Sequence, residues 1–168
     1  MNIGCHLSVA RGLSAMAGDA VRIRAGCFQF FPRNPRGGRA RARDPEDEAA
    51  FVRAVEHNRL GPLLVHAPYT YNPCSADPAV REFTVRSMRQ DLERLAAWPG
   101  ALYVLHPGTH GGRGPDDGIA RAAGVLDEVL DGGGRAVVLL ETMSGKGTEI
   151  GRDFGELQIG RASCRERV

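Results

Sequence analysis

Three short apolar runs in this 168-residue chain each end in a side chain that can bind a metal: Leu63-Leu64-Val65-His66, Leu102-Tyr103-Val104-Leu105-His106 and Ala136-Val137-Val138-Leu139-Leu140-Glu141. Neutral imidazole and carboxylate are donors that suit zinc, and an ion held by them can activate water for hydrolysis. His66, His106 and Glu141 are therefore candidate metal ligands of a metal-dependent hydrolase. A lone strand-end histidine is more often bonded to a neighbouring loop than to a metal. Three such groups in register reverse that balance. His6 ends a fourth apolar stretch and is a candidate for orienting a ligand from behind. His57 falls in a helical stretch and is expected to be solvated. His110 follows His106 by four residues, but Pro107 and Gly108 between them exclude the helical spacing that would bring both onto one ion.

The elements that must position these groups alternate regularly. Strands are predicted at residues 2–6, 27–31, 63–66, 102–106 and 136–141, short apolar runs bounded by Pro and Gly that read as buried parallel strands. Helices are predicted at residues 13–23, from Asp44-Pro45 to about 58, and from Asp77-Pro78 through a stripe of Val80, Phe83, Met88, Leu92 and Leu95. Another runs from Pro115 with Ile119, Ala122, Ala123, Leu126 and Leu130 on one face, and a further one begins near Arg152. Aspartate followed by proline is a helix-start signal, and Glu46, Asp47 and Glu48 suit the positive end of a helix dipole. Five strand–helix units of roughly 30 residues match the right-handed βαβ repeat. An open doubly wound sheet also fits this order. A (β/α)8 barrel is preferred, because polar groups recur at the ends of strands one, three, four and five instead of gathering at one switch point. A complete barrel needs about 250 residues, so residues 1–158 are expected to be the N-terminal part, about the first five units, of a single barrel domain.

Composition narrows the class further. With 42% apolar residues the chain can build one real core. It shows neither a membrane span nor a signal peptide, so a cytoplasmic protein is expected. Cys5, Cys27, Cys74 and Cys164 show no CxxC spacing and are read as reduced thiols without chemistry. Of 22 basic residues only Lys146 is lysine, a bias that fits GC-rich coding DNA. Residues 159–168, IGRASCRERV, have no periodicity and resemble translated read-through of a sequencing adapter. They are expected to be a non-native tail. Without them the formal charge falls from +2 to 0, by loss of Arg161, Arg165 and Arg167 against Glu166, so net basicity carries no message about nucleic acid.

Five segments together resemble endonuclease IV, the apurinic/apyrimidinic deoxyribonuclease family: GCHLSVARGL at Gly4 to Leu13, FFPRNPR at Phe30 to Arg36, HAPY at His66 to Tyr69, HPGTH at His106 to His110, and LETMSGKG at Leu140 to Gly147. The resemblance implies a TIM-barrel hydrolase that cleaves the phosphodiester 5′ to abasic sites in double-stranded DNA during base excision repair, using three zinc ions. By position, His66 and His106 resemble ligands of the first zinc, and Glu141 resembles the catalytic carboxylate that bridges it to the second. At most that site and its bridging carboxylate are retained here. The resemblance also assigns DNA contacts to Arg33, Asn34, Arg36 and Tyr69, with Arg36 matching an arginine that enters the minor groove and Tyr69 an aromatic beside the extruded sugar. It implies no membrane and no obligate protein partner. The loop after strand two carries Arg33, Arg36, Arg39, Arg41 and Arg43, which suits a phosphate backbone. Gly37 and Gly38 depart from the family pattern of bulky or amide side chains, which bears on any wedging into the base stack.

Competing readings are weaker. Gly145-Lys146-Gly147-Thr148 lacks the upstream glycine of a phosphate loop and opens no helix at the right place. A metal-dependent sugar isomerase or epimerase of the xylose-isomerase-like barrels would share the fold, but HPGTH and the arginine loop argue against it. The isolated 168-residue polypeptide is expected to lack nuclease activity, because further ligands belong to later strands, and to aggregate through open sheet edges.

Overall fold

The computed structural model describes residues 2–36, 42–131 and 136–157. Five parallel strands, β1 (Gly4–His6), β2 (Cys27–Phe30), β3 (Leu63–His66), β4 (Ala101–Leu105) and β5 (Val137–Leu140), form one sheet in the order β1-β2-β3-β4-β5. Four helices connect them: α1 (Leu13–Arg22), α2 (Pro45–His57), α3 (Pro78–Leu95) and α4 (Pro115–Leu130). Sequential strands lying side by side, each joined by a helix, make the topology of a continuous α/β barrel wall and exclude the doubly wound order. β3 has the expected bounds, β1, β2 and β5 are one or two residues shorter than expected, and β4 lies one residue earlier. His66 is the last residue of β3, whereas His106 and Glu141 stand one residue past β4 and β5. Residues 154–157 are helical, near the expected start at Arg152.

The helix starts follow local chemistry. Asp44 accepts hydrogen bonds from the Glu46 and Asp47 amides, and Asp77 accepts one from the Ala79 amide, each ahead of a first-turn proline. α1 differs, because Gly12 has no side chain with which to cap it. Its free amides are taken by Asp47 of α2, which accepts from Leu13 N at 2.7 Å and Ser14 N at 3.0 Å. One carboxylate thus caps a helix other than its own.

Strand register assigns the two faces of the sheet. Phe28 pairs with Leu63, Val65 with Tyr103 and Leu105 with Leu140. Paired residues of parallel strands project to the same side. These side chains face the helices, where Phe28, Phe30, Leu63, Val65, Tyr103 and Leu105 are buried with Met16, Phe51, Met88 and Trp98. The other face carries Gln29, Leu64, Val104, Val137 and Leu139. Val137 and Leu139 on it are 50% and 38% exposed, large apolar side chains left open to solvent. The core of this chain therefore lies between sheet and helices, while the inner wall is open.

On α3, Met88, Leu92 and Leu95 are buried as the helical stripe predicts, whereas Val80 and Phe83 are only half-buried. Thr84, Ser87 and Asp91 share the buried face. The sequence reading did not anticipate these polar members. The suspected tail, residues 159–168, lies outside the described residues, as do Gly37, Gly38, Arg39 and Arg41.

Candidate metal centre

Register brings the three candidate ligands together. His66 pairs with Val104, two residues before His106, and Leu140, just before Glu141, pairs with Leu105, just before His106. The Glu141 amide continues the ladder by donating to Leu105 O at 3.0 Å. Since side chains alternate with a period of two, all three project from the same inner face at the C-terminal edge. His66 Nε2 lies 3.1 Å from Glu141 Oε2, and His106 Nε2 lies 3.5 Å from the same oxygen. The imidazoles meet edge to face, with ring centres 5.0 Å apart and planes at 87°. Their ligand atoms all fall within 4.8 Å of one another, and among the described residues this is the group of metal-capable side chains so arranged.

The donor set fits a divalent ion. His66 Nδ1 lies 2.7 Å from the Ala67 carbonyl, a contact that requires a proton on Nδ1. In the neutral ring that tautomer leaves a lone pair on Nε2, aimed at a carboxylate oxygen. Two acceptors facing each other at this distance need a proton or a cation between them. The backbone carbonyl is the kind of partner that fixes ring orientation and raises ligand basicity at metal sites. His66 is buried, with 5% of its side chain exposed, while Glu141 at 46% is open to solvent.

Loops complete the surroundings. The HPGTH segment is pinned by Asn72, whose side chain donates to Thr109 O at 3.1 Å and accepts from Thr109 N at 3.0 Å. Gly108 has φ 107°, and a Cβ there would sit 2.2 Å from Asn72 Oδ1, so this position requires glycine. His110 Nδ1 accepts from the Gly114 amide at 2.9 Å, at the start of α4, and takes no part in the ligand group. His57 is exposed at the end of α2. In the GKGT segment, the Lys146 amide and the Ser144 hydroxyl donate to Glu149, so the turn closes on its own carboxylate and not around a phosphate.

The expected DNA-contacting residues fall into two groups. Tyr69 is 64% exposed, its ring 6.0 Å from each imidazole and 5.2 Å from Phe31. Asn34 and Arg36 are also exposed, and Asn34 Oδ1 accepts from the Arg36 amide. The Tyr69 amide donates to Pro35 O at 3.1 Å, which joins the two loops. Arg33 is corrected: it does not face a phosphate backbone, because its guanidinium is buried and donates to Asp91 from Nε at 2.9 Å and from Nη2 at 2.5 Å. A guanidinium with 3% of its side chain exposed has no route to solvent or DNA. Arg43, counted with the basic loop, pairs with Glu48.

His6 lies beside the centre without joining it. Its ring packs on Phe31 at 4.7 Å, Phe31 in turn touches His66, and Gln29 Nε2 lies 3.3 Å from His6 Nδ1. Desolvation lowers the His6 pKa, and a positive charge on His66, whenever that ring is protonated, lowers it further.

The sequence reading missed a polar cluster on the outer side of the sheet. Asp91 Oδ2 accepts from the Tyr71 and Tyr103 hydroxyls, each at 2.9 Å, while Oδ1 accepts from Arg33. Burial pushes the Asp91 carboxyl up, against the pull of Arg33 and both hydroxyls. Ionised Asp91 remains the partner that Arg33 needs, since an arginine cannot shed its proton. The available signal was an acid on the apolar stripe of α3, between Met88 and Leu95.

Comparison with known proteins places this geometry. Residues 19–159 match the family model described as a xylose isomerase-like TIM barrel. A protein of Akkermansia muciniphila named "Probable endonuclease 4" is 51% identical over 166 residues, which is 99% of this chain and 58% of that protein. The crystal structure of endonuclease IV from Thermus thermophilus superposes with a TM-score of 0.84 at 31% identity, covering 96% of this chain and 59% of the other. A D-tagatose 3-epimerase-like protein superposes over 100% of this chain and 61% of its own, with a TM-score of 0.70 at 15% identity, a likeness of fold alone. The chain spans 56% to 61% of the length of curated relatives that it matches.

Proposed function

The chain belongs to the xylose isomerase-like TIM barrel family, and from that premise we propose that residues 1–158 form part of a zinc-dependent endonuclease of the endonuclease IV type. The proposed reaction is hydrolysis of the phosphodiester 5′ to an abasic site in double-stranded DNA. One observation carries this reading: His66 Nε2 and His106 Nε2 converge on a single oxygen of Glu141 at the C-terminal edge of the sheet, where barrel enzymes keep their chemistry. Similarity to proteins named endonuclease 4 supports the substrate class.

His66, His106 and Glu141 would hold the ion, and a zinc ion bound there supplies Lewis acidity toward a phosphate oxygen. The Ala67 carbonyl keeps the His66 ring turned toward the site by holding Nδ1–H. Glu141, half exposed, brings a carboxylate to the opening with its second oxygen free of the two histidine contacts, as a bridge to another cation requires. Tyr69, exposed with its ring centre 6.0 Å from each imidazole, offers an aromatic surface beside the site. Arg36, exposed on the adjoining loop, provides a cation for the DNA backbone or minor groove.

The test is incision of a duplex with one abasic site by the full-length protein, with and without chelator. Cleavage is expected only with metal present, and Glu141→Gln is expected to abolish it. Chelator-insensitive cleavage, or full activity of Glu141→Gln, overturns the reading.

A further inference from the structure

We propose that Asp91, on the outer side of the sheet and out of reach of substrate, is a positioning residue that sets the spacing between the two loops carrying Arg36 and Tyr69. The proposal rests on the function given above for the DNA contacts, and on geometry for the coupling itself.

Asp91 ties both loops to α3 through one carboxylate. Oδ1 takes the Arg33 guanidinium, three residues before Arg36 in the loop after β2, and Arg33 Nη2 also donates to Ser87 O at 3.3 Å on α3. Oδ2 takes the hydroxyl of Tyr71, two residues after Tyr69 in the loop after β3, and that of Tyr103 in β4. The Tyr71 amide donates to Pro68 O at 3.1 Å, closing the turn that holds Tyr69 at its corner. On the other side of the same loops, the Tyr69 amide donates to Pro35 O. Arg33, Pro35, Tyr69, Tyr71 and Asp91 thus form a closed circuit of bonds whose outward products are Arg36 and the Tyr69 ring.

Such a circuit suits positioning better than simple stability. A buried ion pair contributes little net stability against apolar replacements of similar volume, whereas loss of one partner leaves an uncompensated charge. Here every polar atom of the carboxylate is engaged, two of its partners lie on the loops, and none contacts the metal ligands. A network satisfied in this way holds its members in one arrangement. Without Asp91 the direct link described between the two loops is the single bond from the Tyr69 amide to Pro35 O, and surface connections held by so little move more freely.

The experiment compares the full-length protein with Asp91→Asn and with Tyr71→Phe, which cuts only the link to the Tyr69 loop. Hydrogen exchange is read first. The Tyr69 amide is expected to exchange about tenfold faster in both variants, with the Ala67 amide on the sheet ladder unchanged. Steady-state incision of an abasic duplex is read second. KM is expected to rise about tenfold in Asp91→Asn and less in Tyr71→Phe, with kcat and zinc content held. Arg33→Lys, which keeps a cation opposite Asp91, is expected to raise KM less than Asp91→Asn does. Unchanged exchange at Tyr69, a uniform rise across all amides, or a fall in kcat with KM constant overturns the proposal. Should Asp91→Asn fail to fold, Tyr71→Phe decides by the same criteria. If the wild type itself does not incise the abasic duplex, the proposed function fails, and the exchange measurement still decides whether Asp91 couples the loops.

Discussion

His66 and Glu141, 75 residues apart along the chain, face each other with 3.1 Å between Nε2 and Oε2. The His66 proton is committed to the Ala67 carbonyl on the far side of the ring. A lone pair set against a carboxylate oxygen is an arrangement that a cation relieves.

Zinc binding follows from that relationship. His66→Ala, His106→Ala and Glu141→Gln are each expected to weaken zinc affinity by at least about tenfold, measured by competition with a chromophoric chelator. His110→Ala is expected to leave it unchanged, because its Nδ1 is used by the Gly114 amide. Equal loss in His110→Ala would refute the ligand assignment.

Asp47 is expected to stabilise α1 from outside. Asp47→Ala strips acceptors from the Leu13 and Ser14 amides and the Ser14 hydroxyl. The expected cost is about 1–2 kcal/mol, the upper range for a lost helix cap. Urea unfolding should show a lower midpoint at unchanged slope. A midpoint equal to wild type would show that water replaces the cap at no cost.

Cys74 is expected to resist alkylation. Burial, with a smaller contribution from the charge of Asp117, pushes its thiol up to about 12. A raised thiol pKa keeps the neutral form below that value, so about one molecule in ten thousand is thiolate at pH 8, and reactivity should climb about tenfold per pH unit. Peptide mapping after iodoacetamide at pH 8 should find Cys5, which is exposed, modified well before Cys74. Comparable rates would mean that the segment around Cys74 opens readily.

The inner face of the sheet makes a prediction of opposite sign in two contexts. Val137 and Leu139 are exposed on β5, an edge strand among the described residues. In the 168-residue chain, Val137→Lys with Leu139→Lys is expected to reduce self-association seen by light scattering. In the longer barrel protein proposed above the same pair is expected to lower the unfolding temperature, since a barrel interior packs these side chains. Improved solubility together with unchanged full-length stability would show that β5 faces solvent there too.

Much of this was legible along the chain because it depends on near neighbours. Asp44-Pro45 and Asp77-Pro78 announce helix starts, since capping and the fixed φ of proline act within one turn. The apolar runs ending in His66, His106 and Glu141 announce strands and their chemistry together, because in a parallel sheet the end of each strand lies at the same rim. The likeness of HAPY and HPGTH to endonuclease IV rests on residue types alone, and the match to relatives bears it out.

Other assignments needed the third dimension. Arg33 and Arg36 look alike in FFPRNPR, yet one is buried against Asp91 and the other is exposed. No local rule separates them, because the deciding partner lies 58 residues away on α3. Asp47 reads as a first-turn acid of its own helix, and only packing of α1 on α2 turns it toward Leu13 and Ser14. Residue types and spacing determined which groups could do chemistry and which segments would be strand or helix. Register and packing decided which cations stay available for a phosphate, since whether a charge remains in water depends on what the fold brings against it.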